Sequence, residues 1–338
     1  MKDLKNFKFL IVGLGSMGKR RIRNLFANGQ RNIVGFDILS DRIKEAKEKY
    51  GIGVVEKFED INPQDFDAVI ISVSPESHGD YIRFALKNKL HFFVEHPITT
   101  DGYQDIFENK DDIVKAPSCT HLFQPAIKKA KEVIESGRIG KILAFYHHMG
   151  QYLPDWHPWE DYRDVYFSKK ETSACREMLP FDLIGINHLL GSKAVEVSGS
   201  IAKVSDLDMD ADDLLLATLK YDNNIQGNVI IETLSRKPIF ILHLIGTKGS
   251  LEWSRYDSVL KVYDIDSNKT ENIDLNQGHT EPDYVNTEEP YIAEIKAFLD
   301  AIAGNSTYPH SFEANYQLLN TLYALEKSNE TGTIMNIE

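Results

Sequence analysis

Residues 91–97 read His-Phe-Phe-Val-Glu-His-Pro, an apolar run that ends on a carboxylate, an imidazole and a proline. An imidazole with a pKa near about 6.5 gives or takes a proton at neutral pH. Pro97 restricts the residue before it to an extended backbone, which fixes where the His96 ring points. His96 is therefore the leading candidate for acid–base chemistry, and Glu95 is expected to orient the adjoining backbone or a bound ribose. A second group of carboxylates lies in the helical stretch 176–190, at Glu177 and Asp182. On an ideal helix these two project about 140° apart, so they cannot share one face. Glu177 is taken first as a substrate-facing carboxylate and Asp182 second. His188, almost three turns beyond Glu177, reads as structural. His147 and His148 look like a metal pair, but neighbours on a strand point to opposite faces. No spacing converges the four ligands that zinc requires, so no metal is expected.

The second chemistry is anion binding. Gly13-Leu14-Gly15-Ser16-Met17-Gly18 follows an apolar run and opens a helical one. In such a turn the first glycine permits the tight bend, the second lets a pyrophosphate reach the backbone, and the third allows close helix–strand packing. The pyrophosphate then meets the free N–H groups and positive dipole of a helix N-terminus. Asp37 closes the next strand, where a carboxylate accepts from a ribose diol and repels a 2′-phosphate, which favours NAD. Arg42 and Lys44 follow closely enough to keep NADP open. Ser74 and His78, after the third long apolar run, complete the expected cofactor side, and His121 is expected to line the crevice next to the substrate.

These groups need elements to hold them. Buried strands 7–13, 31–37, 67–73 and 91–95 alternate with helices 17–29, 40–51 and 76–89, and Ser40 suits an N-cap. Continuous apolar strands between helices make a parallel sheet covered on both faces. A helix from about 125 leads to a strand ending at His147-His148. Strand-like runs at 194–204, 213–222, 225–235, 238–247, 249–256 and 258–264 then suggest an antiparallel meander. The last helices, near 289–304 and 311–328, are placed to return to the first domain. The expected fold class is α/β: an N-terminal dinucleotide-binding domain over 1–123 and a C-terminal α+β domain over 124–338, with a large, mostly antiparallel open sheet.

At 338 residues two domains are the default. With 38 basic and 51 acidic residues the net charge is −13, which argues against nucleic acid or an anionic membrane as partner. No apolar run approaches a membrane span, and the two cysteines, Cys119 and Cys175, lack metal spacing. A reducing, cytoplasmic setting is expected.

Several of these segments together resemble the glucose–fructose oxidoreductase and inositol dehydrogenase family (Gfo/Idh/MocA). They are the glycine turn, SPESHGDYIRFALKNKLHFFVEHP at 74–97 and QPAIKKAKEVIESGRIGKI at 124–142. The segment YLPDWHPWEDYR at 152–163 looks like a loop of members that handle sugars or nucleotide sugars. The resemblance implies a Rossmann domain, an open sheet that pairs in homodimers or homotetramers, and NAD(P)-linked hydride transfer at a sugar-like carbinol. It also implies a lysine where this chain has His96, and an acid and a histidine four residues apart on one helix face. Here those two positions are Glu177 and Phe181, or, shifted by one, Met178 and Asp182. Trp156, His157, Trp159 and Tyr162 offer aromatic faces for a sugar ring, and Arg163 offers a grip for a carboxylate or phosphate. The expected function is an NAD(P)-dependent oxidoreductase acting on a sugar, sugar acid or nucleotide sugar. The alternatives are a dinucleotide-binding member that lost catalysis with its lysine, and a redox-neutral enzyme with tightly held NAD.

Overall fold

The computed structural model of the chain describes residues 4–156, 160–275, 278–282 and 286–338. Its α-helices are α1 (Ser16–Ala27), α2 (Ser40–Tyr50), α3 (His78–Lys87), α4 (Tyr103–Glu108), α5 (Pro125–Glu135), α6 (Ala174–Leu190), α7 (Glu289–Ile302) and α8 (Phe312–Thr331). The chain forms two compact units: Met1–Thr120 with Gly278–Tyr316, and His121–Gln277 with Gln317–Glu338.

The first unit is built on six parallel strands: β1 (Phe9–Val12), β2 (Ile33–Phe36), β3 (Gly53–Val55), β4 (Ala68–Ile71), β5 (His91–Val94) and β6 (Lys115–Pro117). Their order is β3-β2-β1-β4-β5-β6, the doubly wound order whose ligand crevice lies at the carboxyl ends of the strands where the order reverses. Every residue of β1 and β4 is buried, as helices on both faces require. Helix α7 completes this core, with Ile295, Phe298, Leu299 and Ile302 among Ile22, Leu25, Ile70 and Phe93. Each such side chain contributes about 1.5–3 kcal/mol when fully buried.

A charged cluster is embedded in the same core. Arg21 of α1 is fully buried and grips Glu95 with two hydrogen bonds, of 2.7 and 2.8 Å. It also pairs with Glu294 of α7 at 2.9 Å. Glu294 in turn accepts from the Cys119 N–H and from the hydroxyls of Ser118 and Thr120, just beyond β6. At the start of α7, its cap residue Glu288 accepts from Arg20, Arg23 and Asn24.

The second unit carries nine strands: β7 (Ile142–Gly150), β8 (Ala194–Ala202), β9 (Leu214–Tyr221), β10 (Gln226–Glu232), β11 (Ile239–Gly246), β12 (Gly249–Ser254), β13 (Val259–Asp264), β14 (Lys269–Asp274) and β15 (Met335–Asn336). The order is β14-β13-β12-β11-β7-β10-β9-β8-β15. All pairs are antiparallel except β7 with β10. β9 shows the period of a one-sided sheet: Leu215, Ala217, Leu219 and Tyr221 are buried, while Leu216 and Thr218 are exposed. α6 covers part of the inner face. Ser173 caps its start by accepting the Arg176 N–H, and Gly191 ends it in the left-handed conformation at φ 59°.

Residues 278–316 belong to the first unit, where α7 buries its apolar face on the parallel sheet. The structure corrects two details of the sequence reading. Ser40 is the first residue of α2 rather than its cap, and Leu39 takes the cap position without a side-chain bond. The sheet is not a simple meander: β7, the earliest strand, inserts between β10 and β11 and makes the one parallel pair. Among the described residues no helix is long and apolar enough to cross a membrane, and no group of three or more His, Cys, Asp or Glu side chains could hold a metal ion.

Candidate active site

The candidate residues fall into two groups, one in each unit. In the first unit, β1 runs into the glycine turn and α1. Gly13 has φ +89°, and a Cβ there would lie 2.3 Å from the Ser72 carbonyl oxygen. A Cβ on Gly18 would lie 1.8 Å from the Gly13 carbonyl oxygen, so helix and strand pack too closely for any side chain. Gly15 is different. The only atoms within 4 Å of its Cβ position belong to the Arg42 guanidinium, at 3.4 and 3.6 Å. The turn therefore presents bare backbone on that side, followed by a helix with no acidic residue in its first turn. Ser16 and Met17 are the first two residues of that helix, and Met17 Sδ lies 3.9 Å from Arg20 Nη1. An anion fits this cradle.

Asp37 is buried and has a task the sequence did not reveal. Its Oδ2 accepts the Leu14 N–H at 2.7 Å and its Oδ1 the Leu39 N–H at 2.9 Å, so the carboxylate braces the glycine turn itself. Each oxygen keeps a further lone pair for a ribose hydroxyl. Arg42 Nη1 stands 3.7 Å from Oδ2. Beyond β4, Ser74 precedes a single turn (Pro75–Ser77) that leads into α3. His78 is buried, and its Nε2–H donates to the Val73 carbonyl at 3.1 Å. Burial lowers its pKa to about 4, so the ring is neutral and pins this loop.

At the carboxyl end of β5, Glu95 accepts from Arg21 through both oxygens and from the Ser72 hydroxyl at 3.1 Å. It is part of the buried charge cluster. His96 is buried beside it. The following Pro97 carbonyl accepts from Asn315 Nδ2 at 3.0 Å, and the same amide donates to the Tyr103 hydroxyl at 2.7 Å. The backbone after His96 is thus fixed by its neighbours as well as by the proline.

In the second unit the helix carboxylates separate as their spacing predicts. Glu177 is half-buried in the first turn of α6. Asp182 is buried and meets two imidazoles: His147 Nε2 lies 2.7 Å from its Oδ2, and His121 Nε2 lies 3.4 Å from its Oδ1. The other His147 nitrogen, Nδ1, lies 2.9 Å from the Ile241 carbonyl oxygen on β11. Phe240 turns its edge to His147 at 4.9 Å between centroids and carries the Arg255 guanidinium on its face at 3.7 Å. Phe181 meets His121 in an edge contact at 4.4 Å. Burial alone would raise the Asp182 pKa, but His147, then His121 and Arg255, outweigh it and hold the carboxyl below its ordinary range. His121 moves the other way: burial lowers it to about 3, against the pull of Asp182, so it is neutral.

His147 is the residue that sequence reasoning passed over. Alternation along β7 does send His147 and His148 to opposite faces, and His148 meets Glu232 at 3.2 Å on the other side. The signal available was that one of the two must face the covered side of the sheet. Its partner, 35 residues further on, was not visible from local spacing. The polar-aromatic loop is tied to partners within the protein. Trp156 donates to the Gln151 carbonyl at 2.9 Å and packs against Phe167. The Tyr162 hydroxyl accepts the Asp208 N–H at 3.0 Å, and Arg163 is gripped by Asp161 and Asp208. With Leu153, Phe167 and Ala174, Trp156 and Tyr162 form a small core of their own. His157 and Trp159 lie outside the described residues.

Comparison with known proteins adds identity to this geometry. Residues 7–122 match the model "Oxidoreductase family, NAD-binding Rossmann fold", and residues 127–252 match "GFO/IDH/MocA C-terminal domain". The myo-inositol 2-dehydrogenase of Thermotoga maritima is 31% identical over 138 residues, which is 39% of this chain and 41% of that protein. The uncharacterized oxidoreductase YrbE of Bacillus subtilis is 23% identical over 261 residues, 71% of each chain. Among solved structures, a levoglucosan dehydrogenase in complex with NADH and levoglucosan superposes with a TM-score of 0.84 over 98% of this chain and 99% of that one, at 19% identity, a likeness of fold. The glycine cradle and braced acid of an NAD-binding Rossmann domain, joined to the nine-stranded sheet, make this chain a member of the Gfo/Idh/MocA oxidoreductase family.

Proposed function

We propose that the chain transfers hydride between NAD and a secondary carbinol of a sugar or polyol, with Asp182 and His96 as its proton-handling groups. The observation that carries this reading is the buried Asp182 carboxylate on α6, held between His147 and His121 in a family whose first domain binds NAD. The names of its relatives, a myo-inositol 2-dehydrogenase and a levoglucosan dehydrogenase, support a polyhydroxylated substrate. When bound, NAD supplies the hydride acceptor.

The chain's own residues do the rest. The bare backbone at Gly13, Gly15 and Gly18 receives the pyrophosphate, with Ser16 and Met17 at the helix start. Asp37 accepts from the adenosine ribose, and its charge disfavours a 2′-phosphate. Ser74 and His78 shape the cofactor side, and Glu95 anchors the backbone that presents His96. Asp182 takes the carbinol proton on oxidation and returns it on reduction. An imidazole at position 96 carries out proton transfer where the family resemblance implies a lysine. Glu177, His121, Trp156, Tyr162 and Arg163 are proposed as substrate-side residues. A homo-oligomer formed through the exposed sheet face, with Leu143, Tyr146, Leu216 and Ile245 on it, completes the proposal.

The test is NADH formation by the full chain against polyols, sugars, sugar acids and nucleotide sugars, alongside NADH binding read by fluorescence. Turnover of at least one polyhydroxylated class is expected. Saturable NADH binding with no turnover across the panel would instead mark a binding protein.

A further inference from the structure

His147 has two ring nitrogens and two acceptors facing them. Nδ1 lies 2.9 Å from the Ile241 carbonyl oxygen, and Nε2 lies 2.7 Å from Asp182 Oδ2. A carbonyl oxygen offers only lone pairs, so Nδ1 must carry a hydrogen to make its contact. A neutral imidazole has no second hydrogen. Its bare Nε2 would then face an ionised carboxylate oxygen, two lone pairs opposed in a buried site, at a distance where only a hydrogen between them is favourable. His147 and Asp182 are both about 2% exposed, so bulk solvent does not reach that contact.

We infer that His147 and Asp182 together hold one shared, buried proton at neutral pH, and that His147 is the positioning residue that keeps Asp182 charged with it. The proton lies between Nε2 and Oδ2 and is carried on the nitrogen, so the pair is imidazolium and carboxylate. The groups around it agree. From the Thr120–Phe123 turn comes His121, neutral, with Nε2 3.4 Å from Asp182 Oδ1. From the end of β12 comes Arg255, whose positive charge opposes any further proton. Asp182 on α6 supplies the negative charge, and β11 supplies the Ile241 carbonyl and the Phe240 ring edge.

The consequence for chemistry rests on the dehydrogenase reading above. In reduction the carbonyl oxygen of the substrate gains a proton. The pair surrenders its shared one to that oxygen, and the opposed lone pairs this leaves on Nε2 and Oδ2 drive the pair to take up a proton again before the next turnover. In oxidation the carbinol O–H bond breaks and its proton refills the pair. A pair filled at rest is poised for reduction. Oxidation needs it emptied first, so kcat/KM for oxidation rises with pH while that for reduction falls.

The experiment is a nitrogen-15 NMR spectrum of the histidine rings in the full-length chain between pH 6 and pH 9, with His147 assigned through loss of its signals in His147→Gln. The expected result is two protonated ring nitrogens on His147 at neutral pH and a strongly downfield proton on Nε2, with one nitrogen losing its proton at neutral pH in Asp182→Asn. One bare His147 nitrogen in the wild-type spectrum at pH 6–8 would overturn the inference, even if Asp182→Asn fails to fold. The spectrum needs no substrate, so its outcome is separate from turnover: a shared proton without turnover counts against the dehydrogenase reading alone, and turnover with a bare nitrogen counts against the proton store alone.

Discussion

The two units each bury a charged cluster, and the clusters differ in how their protons are accounted for. Around Arg21 the groups are held by dense pairing, although burial raises the pKa of the Glu294 carboxyl. The guanidinium has two carboxylates, and those carboxylates take the remaining donors of Ser72, Ser118, Thr120 and the Cys119 N–H. The cluster at Asp182 has three titratable groups, two acceptors on one imidazole, and a proton whose place is shared. Dense pairing of this kind fixes a structure, because any change leaves a buried charge without a partner. A group that can exist in two protonation states without rearranging is what acid–base chemistry needs.

This contrast makes its largest prediction for stability. Arg21→Ala strands Glu95 and Glu294 in the parallel-sheet core and should cost about 3–5 kcal/mol, read as a lower denaturant midpoint. A loss below about 1 kcal/mol would show that the cluster is solvated and the comparison unsound.

Next in size is an acid effect shared by both units. His78, His121 and His310 are buried and neutral, with pKa values lowered by burial to about 4, 3 and 4. The unfolded chain binds protons at these rings as pH falls below about 6.5, and the folded chain does not. Stability should therefore be full above pH 6.5 and decline towards pH 4, with about three protons taken up on unfolding near pH 5 from these rings. Denaturant titrations across that range measure the slope. A flat profile would mean that these rings charge in the folded state.

Smaller again is a change confined to the cofactor cradle. Asp37→Ser removes the acceptors that brace Leu14 and Leu39 and the charge facing the ribose. NADH affinity should fall about tenfold or more, a loss of at least about 1.4 kcal/mol, and the preference for NADH over NADPH should narrow. The smallest effect is expected at Arg163, which is exposed and ion-paired to Asp161 and Asp208. Arg163→Ala should leave the melting temperature unchanged within reproducibility. A raised KM would assign the side chain to substrate, whereas an unchanged KM would leave it to the loop.

Four of the six parallel strands of the first unit and its glycine turn are legible in the sequence, because their signals are local. A buried strand, a glycine turn and a following acid are read within 37 residues, whereas the three-residue strands β3 and β6 carry too short a run to be seen. Less was legible where pairing is distant. Nothing near residues 142–150 says that β7 will insert between β10 and β11. The same holds for the site. Asp182 was visible as a carboxylate on a helix, but its burial against His147 depends on which face of β7 turns inward. For Trp156, Tyr162 and Arg163 the residue types alone do not choose a role, because aromatic and charged residues that suit a sugar ring suit a small internal core equally well.

The measurement that tests the central claim most directly is steady-state turnover of Asp182→Asn beside its NADH affinity. The substitution keeps the side-chain shape on α6 and removes the ionisable oxygen. The account predicts a fall in kcat of about 10²–10⁴-fold, with NADH binding within about twofold of wild type, as expected for a residue outside the 7–122 domain. Unchanged kcat in a folded Asp182→Asn chain would contradict it and return the proton chemistry to His96 or Glu177.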